Sequence, residues 1–167
     1  MEFNIDTVDW KNIIEEIIEG LPLNNENVKV FDSEYQLQLL LAQKLNEIYP
    51  SIKIFLEGTF FSEEMMNSPL KRDRVDIIIL DTDSKFYPIE LKYRYRAKSP
   101  GGQNNLQYGY LYDIHKIEQM QKRKNCGSGY CIFLSNMTCL YNKPKRKTDD
   151  CKCKDCRIYD GIIIEPD

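Results

Sequence analysis
The sequence predicts an α/β (α+β) fold in which a central mixed β-sheet is flanked by helices. Two observations carry this. Apolar residues recur at helical spacing in the first 48 residues and again from about Leu106 to Arg123, and between those stretches the period shortens to that of strands. The 167 residues are 42% hydrophobic and 29% charged, so one domain over 1–167 with a core of ordinary size is expected. That core is placed at about 33–135, with an N-terminal helix within 1–22 and an irregular, cysteine-rich segment at 136–158.

Each element has a local cause. Trp10, Ile13, Ile14, Ile17 and Ile18 set an amphipathic helix over Asp6 to Glu19, capped by Asp6 or Thr7 and stopped at Gly20. Pro22 and the Asn24-Asn25 pair mark a loop. A second helix begins at Ser33, whose hydroxyl caps while Gln36 reaches back, and runs to about Ile48 with Leu37, Leu41, Leu45 and Ile48 as its core stripe. Strand-like runs follow at Ile52 to Glu57, Arg74 to Leu80 and Phe86 to Lys92, the last two joined as a hairpin through Asp81-Thr82-Asp83-Ser84. A loop over Ser99 to Asn105 leads to the third helix, Leu106 to Arg123, with Tyr110, Ile114, Ile117 and Met120 on its apolar face. Gly129 to Leu134 and Tyr159 to Ile164 read as two further strands.

Three places break the apolar pattern. Glu34 lies at the head of the buried stripe of the second helix, where a carboxylate is expensive unless paired, although it also suits the positive end of the helix dipole. Asp76 interrupts the run Val75-Asp76-Ile77-Ile78-Ile79-Leu80, either as part of a site or as an edge-strand acid paired with Arg72 or Arg74. In Ile89-Glu90-Leu91-Lys92 the strand period sends Glu90 and Lys92 to one face and Ile89 and Leu91 to the other. The hairpin brings Asp76 alongside, so two acids and an ammonium converge. Acids that close repel unless a divalent cation sits between them, and oxygen donors without a nearby histidine point to Mg²⁺ or Mn²⁺.

On these residues the chain resembles the PD-(D/E)XK nucleases, the restriction endonuclease-like fold. The likeness rests on Asp76 in an Ile-rich strand, Glu90-Leu91-Lys92 on the next strand after thirteen intervening residues, and Glu34 in a preceding helix. It spans roughly residues 33–135. Val75 stands where the family's name has proline, a departure that removes no ligand. The resemblance implies a metal held by Asp76, Glu90 and the Leu91 carbonyl, with Glu34 completing the site through a water and Lys92 orienting or helping to deprotonate the attacking water. The activity implied is hydrolysis of DNA phosphodiester bonds by an endonuclease. The alternative is a catalytically silent nucleic-acid-binding module of the same fold.

The charge distribution suits a polyanion. Residues 1–67 carry thirteen Asp/Glu against four Lys/Arg, whereas residues 68–157 carry nineteen Lys/Arg against ten Asp/Glu. Within the basic part, Lys92-Tyr93-Arg94-Tyr95-Arg96-Ala97-Lys98 alternates cations with rings, which suits either a strand tracking phosphates or an edge protected by charge. Arg72, Arg74, Arg94, Arg96, Lys98, Gln107 and Tyr110 are therefore the expected DNA contacts, with Asp113 on the same helical face or else a solvent-facing acid paired with Lys116.

Other chemistries are excluded or weaker. His115, the one histidine, has no Ser or Cys partner at recognisable spacing, and no phosphate loop or dinucleotide fingerprint occurs. Cys151, Cys153 and Cys156 would need Cys139 as a fourth ligand for a structural Zn²⁺; reduced thiols in an irregular loop are the simpler reading, and Cys131 belongs to an apolar run. No apolar run approaches the roughly 18 residues of a membrane helix. The first residues lack a basic region followed by an apolar stretch, so no membrane partner and a cytoplasmic location are expected. Cutting both strands of a duplex would call for a homodimer or two successive events.

Overall fold
A computed structural model of the chain describes residues 3–23, 31–59, 74–94 and 103–135. A 3-10 turn, Ile5–Thr7, precedes helix α1, Trp10–Gly20, and α2 covers Glu34–Ile48. Strands β1, Lys53–Thr59, β2, Arg74–Leu80, and β3, Phe86–Arg94, follow, then α3, Gln103–Gln121, and β4, Tyr130–Ser135. The strands form one mixed sheet in the order β1-β2-β3-β4, antiparallel except for the parallel β3–β4 pair. This is the expected α+β architecture, and the β2–β3 hairpin is present, turned by Asp81, whose Oδ1 accepts the amides of Asp83 and Lys85.

The first helix differs from expectation at its start. Asn4 caps the 3-10 turn, and Asp9, accepting the Asn12 N–H at 3.0 Å, caps α1, so the chain bends at Val8 where one continuous helix was expected. For α2 the Ser33 cap holds, with the Gln36 N–H donating to Ser33 Oγ at 3.2 Å, while the Gln36 side chain accepts from Asp32 rather than Ser33. Ile48, expected in the stripe, is 40% exposed because the helix ends there and leaves the core.

Two apolar faces fix the layers. On one, Leu37, Leu41 and Leu45 of α2 and Ile13 and Ile14 of α1 pack against Ile77, Ile79, Ile89 and Leu91 of the central strands. Tyr130 donates to Asp6 at 2.9 Å and its ring lies 5.3 Å from Trp10, which closes the N-terminal segment over β4. On the other face, Met120 of α3 meets Val75 and Ile78. The alternation along β3 therefore puts Ile89 and Leu91 under α2 and leaves Glu90 and Lys92 for α3. Tyr159 to Ile164 and the segment 136–158 lie outside the described residues.

Candidate active site
The motif residues come from three elements that meet where the sheet opens. The Ser33 cap starts α2 so that Glu34 sits in its first turn beside β3, where Glu34 Oε2 accepts the Tyr93 N–H at 2.9 Å. The edge-to-face contact of Phe31 with Tyr93, 5.3 Å between centroids, sets that approach. Glu34 thus has a specific partner in addition to the helix dipole.

Asp76 lies at a break in both of its ladders. The β2–β3 register runs to Ile77↔Ile89; one step on, it would set Asp76 opposite Glu90, and here the Asp76 side chain replaces the backbone, Oδ2 accepting the Leu91 N–H at 2.6 Å. On the other side the register with β1 is unshifted, but the pair that would set Glu57 opposite Asp76 is missing between Leu56↔Ile77 and Gly58↔Val75. Glu57 has φ 51°, in the left-handed region that costs a side-chain-bearing residue energy. A Cβ on Gly58 would stand 2.2 Å from Ile78 Cδ1, so glycine is what lets β1 close again on β2. Gln38 of α2, buried, spans the gap: its Nε2 donates to the Asp76 carbonyl and, at 3.3 Å, to Glu57 Oε1. Asp76 is consequently an interior-strand residue and not the edge-strand acid that sequence left open.

Toward α3 the charges meet in opposite pairs. Lys116 Nζ is 2.6 Å from Glu90 Oε1 and donates to the Arg74 carbonyl at 2.9 Å, while Lys92 Nζ is 3.0 Å from Asp113 Oδ2. Glu90 is 1% exposed and Asp113 5%, so the solvent-facing alternative for Asp113 is corrected. It lies one helical turn from both Tyr110 and Ile117, on the stripe that faces the sheet. Glu90 Oε1 and Asp113 Oδ2 are buried against these ammonium groups without an aligned hydrogen bond. A cleft of about 220 Å³ opens on the α2 side, lined by Glu34, Tyr35, Gln38, Glu57 and Asp76.

Burial and mutual repulsion dominate the electrostatics. Desolvation, then the charge of Asp76, pushes the Glu90 carboxyl up to about 8, against the opposing pull of Lys116. Asp76 is also raised, by burial first and by Glu34, with the Leu91 amide and Lys92 working the other way. For Lys92 burial acts to lower the pKa, but Asp113, Glu34 and Asp76 outweigh it and hold the ammonium above its ordinary value. The raised acids bind more protons in the folded than in the unfolded chain, so their contribution to stability is full below their ordinary values of 3.8 and 4.5 and is lost as pH rises toward 8. Glu90 contributes a slope of at most about 1.4 kcal/mol per pH unit. Glu90→Gln should match the wild type near pH 4, where Glu90 is protonated in both states, and flatten that fall; urea midpoints measured at pH 4, 5, 6, 7 and 8 check this, and an unchanged slope would show that Glu90 is ionised throughout.

The donor chemistry fits a hard divalent ion. The candidate side-chain ligands are all carboxylate oxygens, and Asp76 and Glu90 stand near enough to repel one another, a repulsion that a divalent ion between them would relieve. As folded, among the described residues no three His, Cys, Asp or Glu side chains converge to hold an ion: the Tyr93 amide engages Glu34, the Leu91 amide Asp76 and Lys116 Glu90.

Other expected site residues scatter. Arg74 is exposed and takes part through its carbonyl, and Arg94 is exposed at the end of β3. Tyr110, read from sequence as a DNA contact, is buried with its ring 4.2 Å from Phe133, so it packs α3 onto β4. Arg72, Arg96, Lys98, Cys139, Cys151, Cys153, Cys156 and the side chain of Gln107 lie outside the described residues. His115 is exposed beside Glu118. Cys126 and Cys131 are free thiols, each raised by burial, to about 11 and about 12, which keeps them protonated and unreactive. Gln38, Glu57 and Lys116 are the site residues that sequence reasoning missed. No family model matches the chain and no curated protein is significantly similar to it. No helix among the described residues is long and apolar enough to cross a membrane.

Proposed function
We propose that the chain is a metal-dependent nuclease that hydrolyses DNA phosphodiester bonds, an endonuclease of the PD-(D/E)XK type acting in the cytoplasm. The observation that carries this reading is the gathering of Glu34, Asp76, Glu90 and Lys92, remote in sequence, at the one place where the ladders on both sides of β2 are interrupted. A fold with no use for these acids would gain by burying apolar residues there.

Asp76, Glu90 and the Leu91 carbonyl, with Glu34, would hold Mg²⁺ or Mn²⁺, which when bound activates water and offsets phosphate charge. The residues of the chain do the rest. Lys92 presents an ammonium where negative charge develops and orients the attacking water, and its raised pKa suits that role better than proton abstraction. Asp113 keeps that ammonium in place. Arg94, exposed as β3 leaves the site, meets the DNA backbone by charge. A second copy, or a second event, would serve the opposite strand of a duplex.

One observation favours the silent binding module instead: Glu34, Asp76 and Glu90 each already have a donor from the chain. End-labelled duplex and single-stranded DNA incubated with Mg²⁺, Mn²⁺, Ca²⁺ or a chelator separates the two. Cleavage is expected with Mg²⁺ and Mn²⁺, little with Ca²⁺, whose looser geometry activates water less, and none with chelator. DNA retained uncut under every ion would identify the silent module, and cutting undiminished by chelator would overturn metal dependence.

A further inference from the structure
Lys116 is the one buried cation among the described residues, and its neighbours Ile117 and Met120 show that apolar side chains dock this stretch of α3 well. Helix docking alone gives no reason to bury an ammonium, which is costly unless paired. Its pairing is specific. Nζ lies 2.6 Å from Glu90 Oε1, 2.9 Å from the Arg74 carbonyl and 3.9 Å from Asp113 Oδ1. The two charges of Glu90-x-Lys92 on β3 thus face the two charges of Asp113-x-x-Lys116 on α3, each opposite its complement. Beyond these pairs, the charges of Glu34 and Asp76 act on Lys92, and Asp76 and Lys116 act on one another.

We infer that Lys116 is the internal counter-ion of the metal-free site, offsetting the charge of the acids around it and yielding Glu90 to a divalent cation. This positioning role rests on the metal-dependent reading above. With the site empty, Lys116 faces net negative charge and is attracted; with the ion's two positive charges added, it faces little net charge or repulsion. Lys116 therefore stabilises the empty site and opposes metal binding, so the site stays assembled without metal at a cost in affinity.

The test is Mn²⁺ affinity by calorimetry on the full chain, with folding followed by circular dichroism. Lys116→Gln keeps a donor for Glu90 and for the Arg74 carbonyl while removing the charge; Lys116→Met removes both, and Lys116→Arg keeps the charge. Lys116→Gln is expected to bind Mn²⁺ on the order of tenfold more tightly than wild type and to unfold at lower temperature without metal. Lys116→Met should shift both in the same direction, and Lys116→Arg should bind Mn²⁺ like wild type. Affinity equal to or weaker than wild type in Lys116→Gln, with Mn²⁺ bound by both, overturns the counter-ion role and leaves the metal reading intact. Mn²⁺ bound by neither overturns the metal reading and the inference with it.

Discussion
Asp76→Asn should fold as the wild type does and lose cleavage by at least about three orders of magnitude, because the substitution separates the structural task of this side chain from its chemical one. The structural task is the bond from the Leu91 N–H to Asp76 Oδ2, 2.6 Å long, where the backbone ladder is interrupted. The amide oxygen of asparagine accepts that bond, so β2 and β3 stay joined. The chemical task needs an anionic oxygen, and asparagine has none. Removing the charge also removes the repulsion that helps to raise Glu90, so at pH 8 the variant should be somewhat more stable than the wild type. Asp76→Ala makes the contrast: it too is inactive, but leaves the Leu91 amide without its partner, at about 1–3 kcal/mol. Single-turnover cleavage of labelled DNA and urea unfolding of both variants decide it. Normal cleavage by Asp76→Asn would remove Asp76 from the site, and equal instability of the two would mean that the ladder break does not depend on this hydrogen bond.

What sequence made legible follows from how locally each feature is determined. The strand period sends Glu90 and Lys92 away from the Ile89 and Leu91 core, the hairpin brings Asp76 alongside them, and the Ser33 cap fixes where α2 begins, whereas the place of Glu34 beside these three is implied only by the family resemblance. Gln38 was illegible for the opposite reason. A neutral amide between two leucines of a helix carries no signal, and its role depends on a left-handed Glu57 that opens β1 against β2 from 19 residues away. Asp113 and Lys116 stand between these cases. Tyr110, Asp113, Ile117 and Met120 recur at helical spacing, so the stripe itself announced a buried acid, but a surface i,i+3 pair was the cheaper explanation for two opposite charges one turn apart. Only the facing strand shows that Asp113 turns chiefly to Lys92 and Lys116 chiefly to Glu90. The bend at Val8 escaped because Asp6, Thr7 and Asp9 are all competent caps, and packing of Ile5 into the core, fully buried, selects the last.

Lys92→Ala should lower cleavage by about 10²–10³-fold while Mn²⁺ affinity stays equal or rises slightly, since the side chain acts on the reacting phosphate and stands beside the ion as a like charge. The structure adds a complication to that experiment. Lys92 Nζ is 3.0 Å from Asp113 Oδ2, so its removal leaves a carboxylate that is 5% exposed with Lys116 as its nearest remaining cation, 3.9 Å away. A loss of activity could then reflect a disturbed helix rather than a missing catalyst. Asp113→Asn in the Lys92→Ala background removes the stranded charge; it should restore stability and leave cleavage as low as in the single variant. Lys92→Arg keeps both the charge and the pairing with Asp113, but replaces a compact ammonium with a wide planar fork, so it should recover only part of the rate. Single-turnover rates on prebound DNA, with unfolding midpoints and Mn²⁺ titrations on the same four proteins, separate these effects. Restored cleavage in the double variant would make Lys92 a structural counter-ion of Asp113. Weakened DNA binding with a normal rate of cutting once bound would make it a phosphate contact.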